Sequence, residues 1–473
     1  MSCSSYVCAG FETVSSVGDR FIKGEWFNDH FTREQVSHFL ADNCDKFLHS
    51  FGQNFGKGKN HHKYAQREAD LLKRCRDTGF FNDSKFIVDS GGFQISVGLL
   101  DKVQTENLFK IYYEFLVEHK DVYDRAFILD IPPGPGCKVY ESFDDVYNLN
   151  HKSYETAANL PEEVRNKIIY IHHFRTPKVW EIYSRIMKEN DLFGKFKYHG
   201  TGGIVANQSS DTEIPCIIYT IPLIPLLNNA IAHKWDTLNF HVLGGSTFRD
   251  ILFYELFKIH IKKIHGVDVN ITFDSSGIFK GLMVARWAYV LDIRDNIFRA
   301  IRKLDLRTEK LEQRSFDGQR STLHVFRDAL NAMASEYGFK NIPVDPIYSS
   351  DTGTFLEEIR IYSFFYVLHF FALVQEEMKK IAEKIYPVYS NNSASFSELL
   401  DLNTFGGILE QTTVGINQER KTKKQTAKSN SIVKSMEMLT NLDEDYCKYL
   451  VDKVLAKDEF LSLVKNSRTP AEI

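Results

Sequence analysis

The segment Val88–Gln94 has the sequence VDSGGFQ and directly follows the apolar residues Phe86 and Ile87. A short apolar run that ends in small and polar residues is typical of a buried strand followed by a tight turn. Asp89 then lies at the end of the strand with a carboxylate available for chemistry. The glycine pair behind it lets the backbone approach a flat ligand closely.

The same pattern recurs along Phe81–Leu291, where short apolar runs alternate with longer amphipathic segments. The amphipathic segments predict helices over Glu106–His119, Thr176–Asn190, Ser246–His265 and Gly281–Leu291. Strand followed by helix, repeated, predicts a parallel sheet, and the number of repeats predicts an α/β fold of the (β/α)8 TIM-barrel type. Further strands are expected before Phe81 and near Ile214–Ile221.

Polar or small residues follow each of the apolar runs. Besides Asp89, these strand ends carry Asp130, His172, His173, Gly202, Gly203, Gly244, Gly245 and Asp274. The carboxyl ends of the strands in a TIM barrel carry the active site, so these residues are expected to meet in one pocket.

Beyond Leu304 the strand pattern stops. Apolar residues at a 3.6-residue period predict helices over Ser321–Tyr337 and Phe355–Tyr386, and a last helix over Asn441–Val464. The basic segment Asn417–Ser435 either contacts phosphates or forms an exposed linker. We therefore divide the chain into a catalytic domain, residues 1–303, and a mainly helical C-terminal region, residues 304–473, with possible nucleic-acid contact.

The composition limits the class of protein. The chain has 473 residues, of which 43% are hydrophobic and 25% charged, which indicates a globular protein. A formal net charge of −4 means that any contact with nucleic acid must come from local patches. Seven cysteines without a CxxC pair favour neither a disulfide scaffold nor a cysteine zinc site, and they fit a reducing cytosol. The most apolar window, Phe364–Val374, is too short to span a bilayer, so no membrane association is expected.

Three aspartates at strand ends suggest a reaction. Glycoside chemistry uses two carboxylates around an anomeric carbon, one as nucleophile and one as acid/base. Asp89 and Asp274 are of the right type, and Asp130 could bind the edge of a base. The alternative is that each aspartate only caps the next helix and that the glycine pairs form ordinary tight turns.

The VDSGGFQ segment resembles the DSGGFQ or DSGGYQ signature of the queuine and archaeosine tRNA-guanine transglycosylases. Four further segments resemble the family's motifs in the same order: FILDIPP, YHGTGGIVA, HVLGGSTFRDILFYE and ITFDSSG. The resemblance covers about Phe81–Leu291 and implies the TIM-barrel fold of that family.

The resemblance also implies roles for individual residues. Asp274 would attack the sugar C1′ and give a covalent aspartyl–glycosyl intermediate, and Asp89 would be the general acid/base. Asp130 would accept hydrogen bonds from the ring N–H and the exocyclic amine of the base. The resemblance assigns the rest of the base pocket to stacking side chains, a lining glutamine and the backbone of two strand ends: Phe93, Leu243, Gln94, Gly202, Gly203, Ile204 and Gly244.

The sequence departs from the tRNA enzymes in two places. Their structural zinc motif, CxCxxC with a later histidine, is missing, because Cys447 is the only cysteine after Asp274. We therefore expect neither a metal nor a cofactor. Where the tRNA enzymes have Gln-Gly, this chain has His172 and His173, and strand alternation allows only one of them to face the pocket.

A transglycosylase core without the zinc motif most resembles the phage and bacterial DNA-guanine transglycosylases. The resemblance then implies that the enzyme exchanges guanine in DNA for a free 7-deazaguanine, of the 7-cyano or 7-aminomethyl type, and protects phage DNA from restriction. A cytoplasmic monomer is expected, in the host cytoplasm if a phage encodes it. The open alternatives are a zinc-free tRNA-guanine transglycosylase, a non-catalytic partner subunit and an unrelated barrel glycosidase.

Overall fold

A curled, all-parallel β-sheet forms the centre of the protein. The computed structural model describes residues 5–7, 30–52, 55, 63–77, 81, 84–132, 137–174, 177–190, 192–202, 215–245, 248–275, 287–294, 298–305, 322–341, 357–391 and 431–454. The strands of the sheet are β1 (Ser5–Val7), β2 (Lys46–Ser50), β3 (Lys85–Asp89), β4 (Arg125–Phe127), β5 (Ile168–His172), β6 (Tyr198–Thr201), β7 (Thr237–Val242) and β8 (Asp268–Ser275).

Strands β2 to β8 pair with their neighbours in chain order, and every pair is parallel. The short strand β1 pairs with both edges of this sheet, through Tyr6 opposite Asp274 of β8 and Val7 opposite Phe47 of β2. All carboxyl ends of the strands therefore point to the same side of the sheet. The predicted α/β class with a parallel sheet is confirmed.

Helices connect the parallel strands. Before the last strand β8 the described helices are α1 (Arg33–Asn43), α2 (Tyr64–Asp77), α3 (Gly92–Ser96), α4 (Lys102–Glu118), α5 (Phe143–Ala158), α6 (Glu162–Arg165), α7 (Pro177–Asn190), α8 (Leu192–Lys195), α9 (Pro215–Ala232) and α10 (Phe248–His265). Their starts follow local sequence rules. The α1, α4 and α5 helices each begin with a capping box, at Thr32, Asp101 and Ser142.

Side chains alternate between the concave inside of the sheet and the helices outside. The rings of Phe127 on β4 and His241 on β7 lie 4.9 Å apart although their strands are not neighbours, so both point to the inside. Because alternation has a period of two, Arg125 points to the same side as Phe127. On the neighbouring β3, Lys85, Ile87 and Asp89 share one face in the same way.

Two sequence predictions about secondary structure are wrong. The expected strand near Ile214–Ile221 is part of helix α9, whose continuous apolar run includes Pro222 and Pro225. Such a run has no periodicity that separates a buried helix from a buried strand. The expected helix over Gly281–Leu291 is a strand where the structure describes it: β9 (Trp287–Arg294) forms an antiparallel hairpin with β10 (Phe298–Asp305). Aromatic and β-branched residues favour the strand there.

After β10 the C-terminal region is helical where it is described, with α11 (Thr322–Glu336), α12 (Glu357–Asn391), α13 (residues 431–441) and α14 (Glu444–Val454). It packs on helix α10 through a buried histidine, His260, whose ring nitrogens contact the Tyr386 hydroxyl at 3.0 Å and the Thr440 hydroxyl at 2.9 Å. Among the described residues no helix is both long and apolar enough to cross a membrane.

Buried histidines make the folded state sensitive to acid. Burial lowers the pKa of His199 to about 4 and that of His241 to about 3, whereas the usual value is 6.5. Below pH 6.5 these histidines are therefore protonated in the unfolded chain but stay neutral in the folded chain. The free energy of unfolding falls as the pH drops, because protons bind preferentially to the unfolded state. Each fully buried histidine of this kind should cost about 1.5 kcal/mol between pH 6.5 and 5. The raised pKa of Asp89 acts in the opposite direction between pH 4 and 6.

The measurement is urea unfolding from pH 7.5 to 5, on the wild type, His260→Gln and His38→Gln. Burial also lowers the pKa of His260 to about 4, so His260→Gln should flatten the fall in unfolding free energy. The His38 side chain is 70% exposed, and its substitution should leave the pH dependence as in the wild type. Equal pH dependence in all three proteins would contradict the prediction.

Candidate active site

The turn after β3 brings two strand ends together. Gly91 has φ of 95°, a left-handed conformation that favours glycine, and it caps helix α3. A Cβ on Gly92 would lie 2.0 Å from the carbonyl oxygen of Asp130, and a Cβ on Gly91 would lie 2.6 Å from Cα of Gly52. Glycine is therefore required at both positions. A side chain on Gly92 would push apart the strand ends that carry Asp89 and Asp130, and one on Gly91 would push the turn away from Gly52 in the segment after β2.

The carboxylate of Asp89 is enclosed beside other acids. Ser50, at the end of β2, donates a hydrogen bond from Oγ to Asp89 Oδ2 at 2.8 Å. Burial raises the pKa of Asp89, the Ser50 hydroxyl opposes this, and the nearby charges of Asp130 and then Asp274 raise it further; the result is about 6. Asp89 can thus exchange a proton near neutral pH.

Asp130 lies in the segment after β4, which buried side chains hold in place. The Ser153 hydroxyl donates to the carbonyl of Leu129 at 2.6 Å, and the Asn150 amide accepts from the backbone N–H of Ile131 at 3.0 Å. The Tyr140 hydroxyl donates to the Ile131 carbonyl at 2.5 Å. The backbone on both sides of Asp130 is therefore fixed.

His173, from the end of β5, contacts the Asp130 carboxylate, with 2.6 Å between Nε2 and Oδ2. Its ring packs on Tyr183, with 5.0 Å between ring centroids. A Cβ on Gly202 would lie 2.6 Å from His173 Cε1, so the glycine leaves the space that this imidazole occupies. The Asp130–His173 pair thus holds its geometry before any ligand arrives.

Asp274 is the second-last residue of β8, and the backbone that follows the neighbouring strand β7 holds its carboxylate in place. The backbone N–H of Gly244 donates to Asp274 Oδ1. Gly244 has φ of 74°, and a Cβ on Gly245 would lie 2.3 Å from the Tyr254 hydroxyl. The glycine pair after β7 therefore allows the backbone turn that presents an N–H to this carboxylate.

Two buried polar atoms next to the carboxylates have no hydrogen-bond partner among the described residues. They are the hydroxyl oxygen of Ser90 and the side-chain carbonyl oxygen of Gln94. Buried polar atoms are nearly always hydrogen-bonded in native proteins. Both lie within five residues of Asp89 along the turn, so they are candidates for contact with a bound ligand.

Not every predicted site residue joins this group. His172 is wrong as a pocket residue: it faces the opposite side, where its Nε2 lies 3.3 Å from Nδ1 of the buried His199. The Phe93 ring is 64% exposed on the first turn of α3, and its stacking on a base stays a prediction. Leu243 is partly buried beside the core, and its backbone N–H bonds to the Thr201 carbonyl.

Gly203 and Ile204 lie outside the described residues, as does most of the basic segment Asn417–Ser435. Sequence analysis missed Ser50, although KFLHS ends in a polar residue like the other strands. It also missed Gly52, which follows Ser50 in the chain and makes the closest contact with Gly91. The signal that could have identified Ser50 is its place as the polar residue at the end of a short apolar run.

In the described ranges no three histidine, cysteine or acidic side chains are grouped as metal ligands. No protein-family model matches the sequence, and no curated protein matches it.

The Ser50 hydroxyl should set the proton affinity of Asp89. In Ser50→Ala the carboxylate loses a donor that favours its charged form, so its pKa should rise above about 6. Selective ¹³C labelling of aspartate carboxyls, assigned with Asp89→Asn, measures this titration directly. The control is Ser96→Ala, because the Ser96 hydroxyl bonds to the Phe93 carbonyl instead. An unchanged or lower pKa in Ser50→Ala would contradict the assigned hydrogen bond.

Proposed function

We propose that the protein is a transglycosylase that exchanges guanine in DNA for a 7-deazaguanine base. The observation that carries the proposal is the meeting of Asp89, Asp130 and Asp274 at the carboxyl ends of β3, β4 and β8. Their mutual influence is seen in the pKa of Asp89, which Asp130 and Asp274 both raise. Acids that serve only as helix caps would not need to lie close together at one end of the sheet.

In the first step Asp274 acts as nucleophile on C1′ of the target nucleotide. A bond forms between a carboxylate oxygen of Asp274 and C1′, while the bond from C1′ to N9 of guanine breaks and its electron pair goes to the base. Asp89, which is partly protonated near neutral pH, donates its proton to the departing guanine. The hydrogen bond from Gly244 holds the attacking carboxylate in place.

In the second step a free 7-deazaguanine replaces guanine. Asp89, now a carboxylate, removes the proton from N9 of the incoming base, and this nitrogen attacks C1′. The C1′–Asp274 bond breaks and the carboxylate is restored. Two inversions give net retention at C1′, and the proton count of the enzyme is unchanged over the cycle.

Recognition of the base is assigned to Asp130. A carboxylate accepts two hydrogen bonds, which matches the ring N–H and exocyclic amine on one edge of guanine. The His173 contact orients the Asp130 carboxylate, and the unpartnered oxygens of Ser90 and Gln94 offer further contacts. A base in a duplex cannot reach such a pocket, so the nucleotide is flipped out or single-stranded when it reacts.

The pairing of β1 with both β8 and β2 supports the finer proposal of a closed (β/α)8 barrel of the transglycosylase type. DNA is favoured over tRNA because the sequence lacks the CxCxxC zinc motif of the tRNA enzymes. Restriction evasion would follow from such a modification, and the enzyme would act in the cytoplasm, in that of the host for a phage gene. We also propose that the enzyme acts as a monomer.

The deciding experiment follows labelled guanine and labelled 7-cyano-7-deazaguanine into duplex DNA, single-stranded DNA and unmodified tRNA. Incorporation into DNA alone would support the proposal. Incorporation into tRNA alone would favour the zinc-free tRNA enzyme instead. Failure to label any of the three with folded protein would point to a non-catalytic subunit.

Substitution of the nucleophile should abolish exchange. Asp274→Asn removes the attacking oxygen charge, and we expect a loss of at least about a thousandfold. Asp89→Asn removes the proton carrier and should cost about a hundredfold to ten-thousandfold. A denaturing gel run without incoming base should show a protein–DNA adduct for the wild type and none for Asp274→Asn.

Asp268→Asn is the matched control, since Asp268 lies on the same strand β8 but at its exposed amino end, paired with Lys262 at 2.7 Å. It should exchange bases as the wild type does. An adduct that survives in Asp274→Asn would overturn the nucleophile assignment.

A further inference from the structure

The opposite end of the curled sheet carries a cavity of about 290 Å³. Cationic residues at the starts of three strands line it: Lys46 of β2, Lys85 of β3 and Arg125 of β4. Lys85 lies four residues before Asp89 on β3, which is about 13 Å at the rise of a β-strand. The cavity is therefore separate from the carboxylates described above.

The cations of this cavity outnumber the carboxylates beside them. Lys46 Nζ pairs with Asp45 at 2.7 Å. The carboxylate of Asp124 is already used, because it accepts from Arg76 at 2.9 Å and from the backbone N–H of Phe86 at 2.8 Å. Across the described ranges, no carboxylate oxygen lies within 4 Å of the charged groups of Lys85 or Arg125.

The pairing of β2 with β3 places two of these cations side by side. Lys46 and Lys85 are register partners on neighbouring strands, so their side chains leave the same face of the sheet side by side. Like charges directly opposite each other on paired strands are destabilising. An anion between them would remove this repulsion.

Contacts with neighbouring residues fix the position of the Arg125 guanidinium. Its guanidinium donates to the carbonyl of Asp124 at 2.7 Å and to the Tyr198 hydroxyl, and it lies 4.0 Å from the centre of the Tyr198 ring. A guanidinium has five N–H donors in a fixed plane, so donors remain after these contacts. A pre-positioned guanidinium can donate two parallel hydrogen bonds to a pair of oxygens on phosphate or carboxylate.

Amides, a histidine and a hydroxyl also border the cavity, beside the apolar side chains of Ile169 and Phe240. The side-chain amide of Asn270 donates to Asn239 Oδ1 at 3.1 Å, and both amides border the cavity. His241 lies deeper and contacts the Thr272 hydroxyl at 3.0 Å. Burial lowers its pKa to about 3, so it adds no charge at neutral pH. Among the described lining residues, the positive charge therefore comes from Lys46, Lys85 and Arg125.

We propose that this cavity is an anion site that binds a phosphate group through Lys46, Lys85 and Arg125. The volume lies near the lower limit of about 300 Å³ for small-molecule pockets, which suits inorganic phosphate or a small phosphorylated molecule. The site goes beyond the proposed base exchange and does not depend on it.

Isothermal titration with inorganic phosphate tests the site, at an ionic strength held constant with chloride. The wild type should bind one phosphate, and Lys85→Ala should weaken binding at least tenfold, while Lys85→Arg should retain it. Lys85 is exposed, so its substitution leaves the fold intact. Arg125→Gln should also abolish binding, although the loss of its packing on Tyr198 makes this variant secondary.

Two controls separate this site from others. Lys73→Ala removes an exposed lysine of helix α2 away from the cavity and should bind phosphate as the wild type does. Asp274→Asn should also bind normally, because the base-exchange carboxylates take no part. A nucleoside monophosphate is titrated in parallel with phosphate. If the nucleoside monophosphate binds more tightly than inorganic phosphate, and Lys85→Ala weakens that binding, the ligand is a phosphorylated small molecule. If it binds equally or more weakly than inorganic phosphate, the ligand is free phosphate.

The proposal is overturned if the wild type shows no phosphate binding at millimolar concentration. It is equally overturned if Lys85→Ala binds phosphate as tightly as the wild type.

Discussion

The contact between Gly92 and the carbonyl oxygen of Asp130 sets the geometry of the whole candidate site. It allows the start of α3 to lie directly on the segment after β4, so that the carboxylates of Asp89 and Asp130 interact. Proteins pack their interiors closely, and a single added methyl group here would have to displace backbone. The second glycine of the turn matters for backbone approach, and the first matters for its left-handed conformation.

Gathering carboxylates has an energetic cost that the neighbouring strand ends offset. Each acid in the cluster has a specific partner: Ser50 for Asp89, His173 for Asp130 and the Gly244 amide for Asp274. The partners differ in kind, and so do the consequences. Burial and the neighbouring acids raise the pKa of Asp89 to about 6 against the opposing Ser50 hydroxyl, so Asp89 can bind a proton near neutral pH. The backbone N–H of Gly244 orients the Asp274 carboxylate. In the proposed reaction, the raised pKa of Asp89 fits a proton carrier and the oriented carboxylate of Asp274 fits a nucleophile.

Part of this could be predicted from the sequence. Runs such as IIYIHH and KFIVDS are short and are bounded by polar residues, so their strands follow from local pattern alone. The prediction of a strand near Ile214–Ile221 is wrong, because a continuous apolar run has no periodicity that distinguishes a buried helix from a buried strand. The role of Ser50 could not be predicted, because its partner lies 39 residues away and only the register of β2 with β3 brings them together. The same holds for His172 and His173, since the alternation shows that only one faces inward, and the strand's register decides which.

The two ends of the curled sheet have opposite charge, and the alternation of one strand explains how. On β3 the inward-facing residues run from Lys85 through Ile87 to Asp89, so a single face carries a cation at one end and an acid at the other. Ile87 is fully buried between them and excludes water from the middle. The apolar layer keeps the two charged groups about 13 Å apart, far beyond the reach of about 4 Å at which an ion pair forms. The acid cluster and the basic cavity can therefore act on different ligands, because neither neutralises the other.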